Sequence, residues 1–295
     1  MATLYTQQSK NIFRTWLLMG SFLVFITAIG FAATWYYNNP SILYMAVAFS
    51  LVMNIAAYWF SDKIALASTG AKEADTNQYL ELHRILENLA ITAGLPKPRL
   101  YVINDPAPNA FAAGRNKEHA VVAVTTGLLE RLEKAELEGV LAHELSHIGN
   151  RDILVMTVAV VLAGFIAIIS DIFLRMSFFG GNKEHRNPIF AIAAIVAIII
   201  APIAAQLIQL AVSRRREFLA DATGALMTRY PDGLASALQK ISSYSAPMRR
   251  ANHATAHLFI SNPFGAHEAG KFIAKIFSTH PPVEERVAAL RGLRV

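Results

Sequence analysis

The chain has 295 residues, of which 54% are apolar and only 16% charged, with a formal net charge of +6 and no cysteine. The lack of cysteine excludes disulfides and thiolate ligands, so any metal must be held by His, Asp or Glu. So apolar a composition excludes an ordinary soluble domain, because its source is four separate blocks: 12–36, 42–60, 153–174 and 189–212.

Each block approaches the roughly 20 apolar residues that cross hydrocarbon. The first is too long for a signal-peptide core, lacks a small-residue cleavage pattern and runs directly into the second. Block 42–60 is the shortest and carries Asn54. For any one block the alternative is a helix buried in protein. That alternative fits worst for 189–212, apolar nearly all round apart from Gln206 and Gln209, with Pro202 expected to kink it.

Residues 61–152 form a polar segment between the two hydrophobic hairpins. Residues 76–93 read as an amphipathic helix ended by Gly94 and the Pro96/Pro98 pair. Residues 99–103 (RLYVI) read as a strand, Asp105-Pro106-Ala107-Pro108 as a turn, and 109–113 and 119–125 as further extended runs. A helix capped by Thr126 is expected next, with Leu137, Val140, Leu141, Leu145 and Ile148 on its packing face and a stop or bend at Gly149-Asn150.

That helix carries His143-Glu144-Leu145-Ser146-His147, the H-E-x-x-H spacing. Positions i and i+4 share a helix face, so both imidazoles can address one ion, with Glu144 close enough to reach a water beside it. The alternative is a surface helix with two solvated histidines, against which stands the apolar face opposite them.

Beyond the fourth block, Ser213 marks the membrane exit, Pro231-Asp232-Gly233 reads as a turn, 234–242 as a helix, 246–270 as loop-rich and 283–293 as a last helix. The segments 61–152 and 213–295 are each small for an independent core, so they are expected to pack as one domain split by the second hairpin. A catalytic zinc needs a third protein ligand, and Glu217 can supply it. Asp221, four residues on, can accept a hydrogen bond from a ligating histidine. The alternative for this acidic pair is a solvated salt-bridge face with Arg214, Arg215 and Arg216.

Four spans put the N-terminus, the middle segment and the C-terminal segment on one side, with 24 of the 27 Lys and Arg. Near the membrane ends, Lys10, Arg14, Lys63, Arg151 and the Arg214–Arg216 run oppose Arg175, Lys183 and Arg186, which makes the first side cytoplasmic. Contact with anionic lipid accounts for the basic balance. Nucleic-acid binding is not expected, since no aromatic-basic face accompanies the Arg run.

HELSH and REFLAD around a hydrophobic hairpin, with Asn109-Ala110-Phe111-Ala112 and Thr279-His280-Pro281-Pro282 through Glu284-Glu285-Arg286, resemble the HtpX-type membrane metalloproteases. These are bacterial relatives of the integral-membrane CAAX prenyl proteases, and the resemblance covers nearly the whole chain. It implies a mainly α integral membrane protein of four transmembrane helices with a cytoplasmic α+β zinc-metalloprotease domain of gluzincin type. It also implies one zinc ion per chain on His143, His147 and Glu217, with Glu144 as general base and His280 as a donor to the tetrahedral intermediate. Asp221 and Arg286 would support the ligands and His280. Asn109, Ala110 and Phe111 would bind an extended substrate as an added strand.

The expected domains are a hairpin over 1–60, a protease part over 61–152, a second hairpin over 153–212 and a protease part over 213–295. His147 lies six residues before the third block and Glu217 five after the fourth. At 1.5 Å rise per residue both sit roughly 8–9 Å from hydrocarbon, which favours membrane-bound substrates. The expected function is therefore cleavage of misfolded or damaged membrane proteins at the cytoplasmic face of the inner membrane, as part of a stress response and alongside other quality-control proteases. Processing of prenylated or other membrane-associated peptides is the runner-up. A metal-binding scaffold would need a closed four-ligand site, and a cation transporter would need ionisable groups at mid-membrane depth, where the third and fourth blocks offer only Asp171 near an end.

Overall fold

A computed structural model describes residues 4–179, 214–250, 255–264 and 281–293. Block 189–212, residues 180–188 of the loop before it, and Thr279 and His280 lie outside the described residues.

Helix α1 (Leu4–Tyr37) and helix α2 (Ser41–Trp59) form the first hairpin. Asn39 caps the return, its side chain accepting from Ser41 N–H at 3.0 Å. Both helices are long and apolar enough to cross a membrane, and large apolar side chains point outward, with Phe13 68% and Trp35 83% exposed. The helices meet closely at Gly30, where a Cβ would fall 2.3 Å from that of Ala46. Asn54, the polar residue of the second block, is buried and donates to Met19 O at 3.2 Å across this interface, so it ties the hairpin together.

Short helix α3 (Ser61–Thr69) follows, then strand β1 (Lys72–Glu73), which the sequence did not announce. Helix α4 (Leu80–Thr92) starts four residues later than expected, because Asp75 instead caps a turn through Asn77 and Gln78. Strands β2 (Arg99–Ile103), β3 (Ala110–Gly114) and β4 (Ala120–Thr125) complete a sheet of order β1-β2-β4-β3. β4 runs parallel to β2 and antiparallel to β3, with Tyr101 opposite Ala123 and Phe111 opposite Ala123. β4 is buried along its whole length, because its two faces serve two cores. Val122 and Val124 pack in the core shared with the later helices, and Val121 and Ala123 lie in a second core with residues of the hairpin, of α3 and of the helix that follows α6.

The expected helix from Thr126 is two helices: α5 (Thr126–Arg131) and α6 (Lys134–Gly149). Thr125, one residue earlier than expected, caps α5 by accepting from Leu128 N–H. At the break, Glu133 and Glu136 form a reciprocal capping box that starts α6 afresh. The expected bend after α6 is real, with left-handed Arg151 (φ 57) at the corner. There the chain turns by 85° into helix α7 (Asp152–Phe179), which covers the third block. Val155, Val158, Leu162 and Ile166 of α7 are buried against α1 and the sheet, while Ile153 joins the core around α6. The early turns of this block are therefore a protein-packed helix.

Helices α8 (Arg214–Thr228), α9 (Pro231–Ser242) and α10 (Val283–Arg291) pack on α6 or on one another. Pro231-Asp232-Gly233, expected as a turn, is the first turn of α9, since proline suits the first helical position. α6 is clamped closely: a Cβ at Gly139 would fall 2.7 Å from Leu234 N, and one at Gly224 3.0 Å from His143 N. Leu137, Leu141 and Leu145 of the middle segment share one core with Ala225, Leu238 and Leu290 of the C-terminal segment. Two stretches of sequence thus build a single body around α6.

Candidate active site

His143 and His147 lie on adjacent turns of α6, and Glu217 stands on the first turn of α8. The histidine Nε2 atoms are 3.1 Å apart, and the Glu217 carboxylate oxygens lie 3.8 Å from His143 Nε2 and 3.6 Å from His147 Nε2. Tetrahedral ligands at zinc–ligand bonds of about 2.1 Å are about 3.4 Å apart, so these separations bracket what one such ion requires. All three side chains are buried, in a group able to hold a metal ion.

Each histidine has its own carboxylate. His143 Nδ1–H donates to Asp221 at 2.9 Å, which leaves Nε2 bare toward the site. Arg286 then grips both oxygens of Asp221, Nε at 2.8 Å and Nη2 at 2.7 Å. The described contacts of Arg286 are with Asp221, Glu217, Ile260 O and, at 3.5 Å, His143 Nδ1. His147 Nδ1–H donates to Asp152 at 3.0 Å. Asp152 was missed in the sequence, where it reads as the membrane edge of the third block. The signal for it is that two imidazoles expected to hold one ion need two acceptors, and only Asp221 had been assigned.

These contacts set the charges. Burial drives the His143 pKa down to about 4, against the raising pull of Asp221. Burial also opposes charge on His147, but the Asp152 hydrogen bond and the Glu217 carboxylate outweigh it and raise the pKa to about 9. The two Nε2 atoms thus meet at 3.1 Å with His143 held toward the neutral form and His147 toward the charged one. Burial pushes the Asp221 carboxyl up, yet Arg286 and His143 more than offset this and it ends lowered. Burial raises Glu144 to about 7, with help from the Glu217 charge and against a hydrogen bond from Ala112 N–H.

That last contact brings β3 beside Glu144. β3 is an edge of the sheet, and because Asn109 O accepts from Thr125 N–H, alternation turns Ala110 and Ala112 toward the open side. There Ala110 O accepts from Ile260 N–H at 2.9 Å, and the Asn109 amide donates to Ser261 O at 3.0 Å. The Phe111 ring is fully buried, edge-on to Phe259 at 5.3 Å, so Phe111 faces the core.

Residues 76–294 match the model of peptidase family M48. The chain belongs to this family. It is 47% identical to the protease HtpX homolog of Caldanaerobacter subterraneus subsp. tengcongensis over 99% of both chains. The homolog from Thermoanaerobacter pseudethanolicus is 48% identical over 99% of this chain and 98% of its own. In fold the chain is similar to the crystal structure of S. mikatae Ste24p, at TM-score 0.52 and 18% identity, covering 97% of this chain and 67% of that one. The M48 chain is thus a membrane metalloprotease of the HtpX type, which sets aside the scaffold and cation-transport alternatives.

Proposed function

We propose that this M48 protease is a zinc endopeptidase that cleaves misfolded or damaged membrane proteins at the cytoplasmic face of the inner membrane. The observation that carries the reading is the meeting of His143, His147 and Glu217, at 3.1, 3.6 and 3.8 Å, beside the buried Glu144. His143, His147 and Glu217 would hold one zinc ion. When bound, zinc lowers the pKa of a water and polarises the scissile carbonyl. Glu144, held near neutrality by burial, takes the proton of the attacking water and passes it to the leaving amine. Asp221 and Asp152 keep the ligand imidazoles in the tautomer with Nε2 inward. His280 is assigned by its sequence resemblance to donate to the developing oxyanion.

The substrate strand would add to the open edge of β3, taking the place of Ile260 at Ala110 O. The Asn109 amide, now on Ser261, would turn to the same strand. Phe111 would serve by holding β3 against its core.

Membrane substrates are favoured because the site lies at the N-terminal end of α1, where Gln8 Nε2 donates to Gly149 O at 2.8 Å. Four spans with a cytoplasmic protease body rest on the four apolar blocks and the Lys and Arg distribution. The test uses detergent-solubilised protein: Glu144→Gln is expected to retain one zinc per chain and lose cleavage. Undiminished cleavage by that variant would refute the role of Glu144. Equal rates on tethered and freely soluble forms of one substrate would refute the membrane preference.

A further inference from the structure

We infer that the first membrane helix is a working part of the metal centre: Asn11 of α1, with Arg216 of α8, fixes Asp152 as the positioning residue for His147. The inference rests on the reading of His147 as a ligand. Asn11 lies in the apolar hairpin 141 residues from Asp152, yet its Nδ2 donates to Asp152 Oδ1 at 2.6 Å and to Asn150 O at 3.1 Å. Its Oδ1 accepts from Arg216 Nη1 at 3.3 Å, so every polar atom of the amide is engaged. Arg216 Nε lies 3.8 Å from the same Asp152 oxygen, and His147 Nδ1–H donates to the other, Oδ2, at 3.0 Å. Asn11, Asp152 and Arg216 are all buried.

Both oxygens of Asp152 therefore meet donors: Asn11 on one, His147 on the other. Asparagine at 152 offers one acceptor and one donor, so it cannot serve both neighbours. A buried donor turned against a donor reorients one partner; Asn11 keeps Asn150 O and Arg216, whereas the Nδ1 side of the His147 ring has only Asp152, so the ring is the partner that turns. The Asn11 amide is selected for this place because it donates to Asp152 and accepts from Arg216 at once, which neither aspartate nor an apolar residue can do.

Full-length Asp152→Asn and Asn11→Ala are compared with the parent protein for zinc affinity by chelator competition, the visible spectrum of the cobalt(II)-substituted form, kcat and KM, and the unfolding temperature without metal. The expected result for Asp152→Asn is a zinc affinity lowered about 10- to 100-fold, with a smaller loss for Asn11→Ala. The cobalt bands shift in both variants and kcat falls while KM holds; the metal-free unfolding temperature holds in Asp152→Asn and falls modestly in Asn11→Ala, which strips a buried donor. Parental zinc affinity and cobalt spectrum in both variants would overturn the inference. So would lower affinity accompanied by a lower metal-free unfolding temperature and unmoved cobalt bands, the pattern of a merely structural role. If the parent protein binds neither cation, the ligand reading fails first and this inference with it.

Discussion

Arg286 and Asp221 form a fully buried fork-to-fork pair, with contacts of 2.8 and 2.7 Å, and that pair stands directly behind His143. It joins the last helix of the chain to the metal face of α6. Removing the arginine leaves a buried carboxylate without its counter-ion. Arg286→Met is expected to destabilise the fold by about 3–5 kcal/mol, measured by thermal unfolding. Arg286→Lys keeps the charge but makes one contact in place of two, so it should lose less stability while still weakening metal binding. Parental stability in Arg286→Met would contradict the pairing.

Proton and metal compete for His147. With its pKa raised to about 9, one proton must leave when the cation binds. Below about pH 9 each unit of acidification should therefore weaken zinc affinity about tenfold, as read by chelator competition across the neutral range. An affinity independent of pH there would show that His147 is already neutral.

Glu144 acts as a base only when ionised. Burial raises it to about 7, and a nearby cation pulls it back down. The kcat/KM profile should thus fall on the acid side with a midpoint at or below about 7. A rate rising as pH drops through that range would assign Glu144 the opposite role.

Ile260 N–H occupies the Ala110 acceptor that an added substrate strand would use. Ile260→Pro deletes that donor, and with it part of a buried side chain, while the Ala110 carbonyl is left free. Lower KM for extended peptides is expected, with a modest loss of stability. A KM that rises in step with instability would mean that the 258–261 segment supports the site and does not yield to substrate.

Gly139 is a packing residue, since its Cβ would collide with the backbone of Leu234. Gly139→Ala is expected to cost roughly 1–3 kcal/mol on thermal unfolding, despite alanine's better helix propensity, because α6 and α9 must part. A stabilised variant would show that the two helices can separate freely.

Much of the site was legible because its residues obey short-range rules. His143 and His147 follow from one helical turn, whereas the spacing of Glu217 and Asp221 left a solvated salt-bridge face open and the HtpX resemblance decided between the two. Asp152 was not legible, because its meaning depends on Asn11, 141 residues away. The neighbours of the third block were not legible either: hydropathy cannot tell lipid from the α1 and sheet side chains that pack against Leu154 through Ile166. The break between α5 and α6 was hidden because leucines continue across it, while the stop comes from the Glu133–Glu136 capping box.

The central claim is that α6 and α8, separated in sequence by the second hairpin, close on one cation. The most direct measurement is anomalous diffraction at the zinc edge from zinc-loaded protein. The expected result is a single peak about 2.1 Å from His143 Nε2, His147 Nε2 and a Glu217 oxygen. A peak held by the histidines with the Glu217 carboxylate turned away, or no peak between the two helices, would contradict it.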